Sequence, residues 1–138
     1  MAQSAKTIEK ILVVDDDPEW RQFLGDVLGP RYTVVAAASD EEALLLARAV
    51  HPALIFLDVM MPEGKDGFTL FCDLRKDPKT RHIPVIFLSE VNSATNSMFD
   101  ADVLKSYLGA SPAAFLEKPI KKDILLRTVQ GVLGSRQD

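Results

Sequence analysis

The 138 residues include a single cysteine, Cys72, so the chain cannot close an internal disulfide. A lone thiol suits a reducing cytosol. No uninterrupted apolar run approaches the length that spans a bilayer. The opening stretch, Met1 to Lys10, is polar and lacks the apolar segment of a secretory signal. Positive charge is not in excess. Sixteen Lys and Arg stand against 20 Asp and Glu, giving a net charge of −4 and a pI of about 5.2. That balance argues against a direct nucleic-acid surface, which needs clustered Lys and Arg. His51 and His82 are the two histidines, and neither has metal-binding spacing to another His or to Cys72. There is no internal repeat and no low-complexity tract. These absences lead to the expectation of a cytoplasmic protein with no membrane partner.

What is present is ordinary in bulk. Hydrophobic residues make up 47% and charged residues 26%, as in a typical globular domain. The length suits one domain and a full core without disulfides or a structural metal. The expected domain runs from residue 7 to 134, with flexible termini at 1–6 and 135–138.

Short apolar runs alternate with amphipathic stretches. Ile11 to Val14 is β-branched and ends in Asp15-Asp16-Asp17-Pro18. Asp17 is a good N-cap and Pro18 a good first helical residue. Trp20, Phe23, Leu24, Val27 and Leu28 then recur at helical spacing, which reads as a core face, until Gly29-Pro30. Tyr32 to Ala37 is a second expected strand. Ser39 and Glu42 form a capping box for a helix over Asp40 to Val50, which Pro52 closes. Leu54 to Leu57 is a third strand, Phe68 to Lys76 a third helix, and Val85 to Leu88 a fourth strand. Met98 to Leu108 is a fourth helix, Ala114 to Leu116 a fifth strand, and Lys121 to Leu133 a fifth helix. Cys72 falls in the third helix, where an inert thiol is the expectation.

Five βα units with continuously apolar strands imply an α/β fold. The expectation is a doubly wound, five-stranded parallel sheet of flavodoxin-like (βα)5 form with helices on both faces. In such a sheet the ligand sits beyond the carboxyl ends of the strands. There the sequence places Asp15 and Asp16 after the first strand, Asp58 after the third, Ser89 after the fourth, and Lys118-Pro119 after the fifth. Each alone reads equally as a loop or surface residue. Together they fit one chemistry. Carboxylates gathered at a point repel, and a hard divalent cation such as Mg²⁺ relieves that repulsion. A carboxylate can also act as a nucleophile toward phosphorus. Phosphoryl transfer asks chiefly for positioning and charge neutralisation, which a cation, the Lys118 ammonium and the Ser89 hydroxyl can supply.

The run Ile11-Leu12-Val13-Val14-Asp15-Asp16-Asp17 resembles the opening of bacterial two-component response-regulator receiver domains. Leu54-Ile55-Phe56-Leu57-Asp58-Val59-Met60-Met61-Pro62, the later Asp66-Gly67, Ile83-Pro84-Val85-Ile86-Phe87-Leu88-Ser89 and Phe115-Leu116-Glu117-Lys118-Pro119 follow in that family's order. The resemblance covers about residues 7 to 134.

It implies that Asp58 accepts a phosphoryl group from a phosphohistidine on a sensor histidine kinase or a histidine phosphotransfer protein. Asp15, Asp16, Asp58 and the backbone carbonyl of Met60 would hold Mg²⁺, Asp16 directly and Asp15 through water. Lys118 would pair with phosphoryl oxygens. Ser89 and Phe115 would move together as a switch. The face of the fourth helix, fifth strand and fifth helix would then change its preference for an output protein. The Lys118–Pro119 bond would be cis. Such a domain is a phosphoacceptor rather than an enzyme, assisting only its own phosphorylation and dephosphorylation.

Three features depart from the family pattern. Glu63-Gly64-Lys65 puts three residues between Met61-Pro62 and Asp66-Gly67 where two are usual. Glu90 follows Ser89 where a small residue is usual. Ser89 and Lys118 lie further apart than usual, the extra residues falling in 91–114. Met60 and Val91 flank the acceptor with apolar bulk, from which slow loss of the phosphoryl group is expected. Two other functions compete. One is a degenerate receiver acting as a phosphorylation-independent binding module. The other is a phosphatase of the haloacid dehalogenase type, which needs Asp-x-Asp-x-Thr where this chain has Asp15-Asp16-Asp17-Pro18-Glu19.

Overall fold

The computed structural model describes residues 8–59, 67–90 and 112–134. The expected fourth helix over Met98 to Leu108, Met60, Val91, the Glu63-Gly64-Lys65 insertion and the termini lie outside the described residues.

Five strands form one sheet: β1 (Lys10–Val14), β2 (Thr33–Ala37), β3 (Leu54–Asp58), β4 (Val85–Glu90) and β5 (Ala114–Lys118). Their spatial order is β2-β1-β3-β4-β5, and every pairing is parallel. The described helices are α1 (Pro18–Leu28), α2 (Asp40–Val50), α3 (Gly67–Lys76) and a C-terminal helix (Lys122–Gly134). The fold is flavodoxin-like α/β, as the alternation of elements implies.

The apolar runs divide their side chains between two cores, because neighbours along a strand point to opposite faces. Leu12, Val14, Ile55, Leu57, Val85 and Phe87 face one way and pack with Ala43 and Ala47 of α2 and Leu70, Phe71 and Leu74 of α3. Ile11, Val13, Leu54, Phe56, Ile86, Leu88 and Leu116 face the other way. They meet Leu24, Val27 and Leu28 of α1 and Leu125, Val129 and Leu133 of the C-terminal helix. β3 is buried along its whole length, which is why its run carries no polar alternation.

Local chemistry sets the element ends, with some differences from expectation. Asp17 caps α1, its Oδ1 accepting from the Glu19 N–H at 2.9 Å, and Pro18 opens the helix. Ser39 caps α2 by accepting from the Glu42 N–H. Glu42 does not close a reciprocal box on Ser39. Its Oε1 accepts one residue further back, from the Ala38 N–H at 2.9 Å. α2 stops before Pro52, at His51, which takes the left-handed conformation at φ 53° and returns its N–H to the Ala47 carbonyl. Three strands outlast their apolar runs. β3 includes Asp58, β4 includes Ser89 and Glu90, and β5 includes Glu117 and Lys118. Ladder bonds to a neighbouring strand hold these polar residues extended, where apolar pattern alone would end the strand.

Candidate functional site

The parallel sheet puts the ends of β1, β3 and β5 at one edge. β1 feeds directly into Asp15, whose N–H bonds the Ala37 carbonyl at the end of β2. β3 ends on Asp58, opposite Leu88 of β4, and Glu90 stands opposite Lys118 where β4 meets β5. The strands therefore carry the chemical groups to the edge as parts of a rigid frame.

Ligand oxygens of Asp15, Asp16 and Asp58 lie within 4.8 Å of one another. Asp15 and Asp58 are buried, while Asp16 is the more open of the three. Lys118 reaches into this group from the end of β5 and is only 6% exposed. Its Nζ donates to Asp15 Oδ2 at 2.8 Å and stands 3.7 Å from Asp58 Oδ2. The other oxygen of Asp15, Oδ1, accepts the Asp17 N–H at 3.0 Å. Both oxygens of Asp15 are thus engaged by the protein. Asp16 makes no hydrogen bond or ion pair among the described residues. One ammonium against three carboxylates leaves the group short of positive charge. The donor set is all hard oxygen, which fits Mg²⁺ rather than a thiol- or imidazole-seeking ion.

Two α1 residues complete the site, and the sequence pattern did not single them out for it. The Arg21 guanidinium donates Nη1 to the Asp15 carbonyl at 2.8 Å, fixing the turn that aims the acids. The Trp20 ring stands beside Lys118, with Nζ 5.0 Å from the ring centroid. Gly67 matters for space. A Cβ there would meet the Asp58 carbonyl oxygen at 2.5 Å and Val59 Cα at 2.7 Å, so only glycine lets α3 start against the end of β3. Its N–H also bonds the Val59 carbonyl at 3.1 Å. The Asp66-Gly67 pair was the sequence signal for this contact.

Ser89 is buried and lines an open groove of about 340 Å³ with Phe115, Leu116, Glu117, Pro119, Ile120, Lys121 and Ile124. Phe115 is half-buried, its ring 5.4 Å from that of Phe87, which in turn meets Phe68 at 5.5 Å and Phe71 at 5.3 Å. The Lys118–Pro119 peptide is cis. His51 and His82 are exposed, and Cys72 is half-buried on α3. No described helix is long and apolar enough to cross a membrane.

The model of the response regulator receiver domain family matches residues 11–130. The chain is 36% identical over 124 residues to the response regulator PleD of Caulobacter vibrioides, covering 89% of this chain and 26% of PleD. It is 31% identical over 126 residues to the protein PilH of Pseudomonas aeruginosa, covering 91% of this chain and 98% of PilH. A putative response regulator from Chloroflexus aurantiacus superposes with a TM-score of 0.78 at 30% identity, over 93% of this chain and 99% of that one. The chemotaxis protein CheY4 of Vibrio cholerae gives 0.77 at 30% identity, over 92% of this chain and all of that one. The chain belongs to the response-regulator receiver family, a class of signalling domain in two-component systems. It spans about a quarter of PleD and less than half of the ycf27 transcriptional regulators it also matches.

Proposed function

We propose that Asp58 is the phosphoacceptor of this receiver and takes its phosphoryl group from a phosphohistidine in a Mg²⁺-dependent reaction. The observation that carries the reading is the meeting of Asp15, Asp16, Asp58 and Lys118 at one sheet edge, with Lys118 bridging Asp15 and Asp58. A carboxylate oxygen of Asp58 forms the new O–P bond. The P–N bond of the donor breaks, and its electron pair leaves on the imidazole nitrogen, which then takes a proton. Lys118 keeps a positive charge beside the oxygens on which negative charge accumulates. Arg21 holds the Asp15 carbonyl and Gly67 bonds the Val59 carbonyl next to Asp58, which fixes the backbone that carries the two carboxylates.

Asp16, Asp15 and Asp58 would hold Mg²⁺, with the Met60 carbonyl a further expected ligand. A bound ion would offset the surplus negative charge and draw a phosphoryl oxygen toward the acceptor. The engaged oxygens of Asp15 favour contact through water for that residue, and the Asp16 carboxylate, unengaged among the described residues, favours direct contact. Ser89 and Phe115 are the proposed switch pair, since both line the groove beside β5. The groove and the C-terminal helix would change partner preference there. The partners are a histidine kinase or phosphotransfer protein and an output protein, in the cytoplasm, with the domain acting as a phosphoacceptor rather than a turnover enzyme. The chain carries every charged group that a degenerate module would have no use for, and it lacks the threonine of the phosphatase motif.

Transfer from a purified, ³²P-labelled phosphohistidine protein tests the reading. Label should move to this chain with Mg²⁺, stop moving in excess chelator, and be lost from the product at alkaline pH as an acyl phosphate is. Label that is stable to alkali would overturn it.

A further inference from the structure

Lys118 has a third neighbour that the chemistry above leaves unused. Trp20, on α1, sets its ring beside the ammonium at 5.0 Å from the centroid. It is the chain's single tryptophan. The ring is half-buried and fixed from behind by Phe23, edge to face at 5.3 Å and 86°. That contact favours the ring position beside Lys118. A core role explains the contact with Phe23 but not a cation at its face.

We propose that Trp20 is a positioning residue for Lys118 and acts through the attraction between the indole face and the ammonium. The proposal rests on the reading of Asp58 as acceptor. The physical need is specific to this site. Before transfer, Lys118 is anchored at 2.8 Å to Asp15 and lies 3.7 Å from Asp58. Once Asp58 carries a phosphoryl group, the negative charge extends outward and the ammonium must follow it. A hydrogen-bond acceptor in place of Trp20 would hold Lys118 back, because its lone pairs are directional. An aromatic face attracts a cation with little directional demand, so Lys118 slides between anions without losing its third neighbour. The ring also lies against the ammonium on that side, in keeping with Lys118 being only 6% exposed although Asp16 beside it is open. Less water around the charge strengthens its pull on phosphoryl oxygens.

The single tryptophan makes a clean test possible. Fluorinated tryptophans fed to an auxotroph alter Trp20 alone, and each added fluorine weakens the ring's attraction for a cation while nearly keeping its shape. The unfluorinated protein and its mono-, di- and trifluoro forms are phosphorylated with phosphoramidate and Mg²⁺. The affinity of each for beryllium trifluoride, an acyl-phosphate mimic, is measured by calorimetry, and each melting temperature is recorded. The expected result is a graded fall in rate and in mimic affinity, about two- to fivefold across the series, with melting temperatures held. Trp20→Phe should fall between the unfluorinated and trifluoro forms, because a phenyl face attracts a cation less than indole does, and Trp20→Leu near the trifluoro form. A rate and affinity indifferent to fluorination, in a protein that does accept phosphate, overturn the positioning role. Failure of the unfluorinated protein to accept phosphate or bind the mimic overturns the acceptor reading itself.

Discussion

Lys118 is the residue on which the site's electrostatics turn. It is a nearly buried cation touching a fully buried carboxylate, with a second carboxylate close by. Taking one partner from a buried pair leaves the other charge uncompensated, at a cost of about 3–5 kcal/mol. Lys118→Met should therefore lower stability in chelator by about 3 kcal/mol. Mg²⁺ should narrow the gap between variant and parent, because a bound cation replaces the missing positive charge. Urea unfolding with and without Mg²⁺ measures both, and a gap unchanged by the ion would contradict the shared role of Lys118 and the metal. Asp15, Asp16, Asp58, Ser89 and Lys118 were legible as a set because each stands at the end of an apolar run. Trp20 and Arg21 were not. Trp20 sits at core spacing on α1, and only the approach of β5 from far along the chain reveals the cation at its face.

At the scale of elements, the strands were legible as apolar runs and their ends were not. Asp58, Ser89, Glu117 and Lys118 are polar residues kept in strands by pairing with neighbours, and pairing is invisible in a single segment. The extent of α2, Asp40–Val50, was legible from Ser39 and Pro52, but the residue that turns the chain was not. Pro52 marks a break, yet the conformation that ends the helix belongs to His51. Gly67 shows how closely two elements must meet to aim Asp58. Gly67→Ala should cost at least about 2 kcal/mol, since the added carbon meets backbone rather than a yielding side chain. It should also slow phosphoryl acceptance. Chemical denaturation checks the first, and a variant as stable as the parent would contradict the packing.

A second joint links α2 to the turn before β4, where Arg48 pairs with Asp77. The Lys79 backbone N–H and then Arg48 hold the Asp77 carboxyl below its ordinary range. A depressed carboxylate adds stability above its unfolded value of about 3.9 and loses it as pH falls through the folded value. The difference in unfolding free energy between the parent and Asp77→Asn should be flat above about pH 5 and shrink below about pH 4. A difference constant down to pH 2 would contradict the pairing.

Across the whole molecule, one rigid sheet separates two cores, and the acidic site lies at its carboxyl edge. Helices α1 and α3, on opposite faces of the sheet, each send a residue to that edge, Trp20 against Lys118 and Gly67 against the Asp58 backbone. The arrangement connects the site to Phe87 and Phe115, which pack on the face shared with α2 and α3. The fold class followed from the alternation of runs, since covered parallel strands leave few other solutions. The readout did not follow, because Glu90 replaces a usually small residue and the segment after it is longer than the family pattern.

The claim that Asp58 is the acceptor is tested most directly by intact-mass spectrometry after incubation with acetyl phosphate and Mg²⁺. The parent should gain the mass of one phosphoryl group, mapped to Asp58, and Asp58→Asn should gain none. No gain in the parent, or a gain that survives in Asp58→Asn, would contradict it.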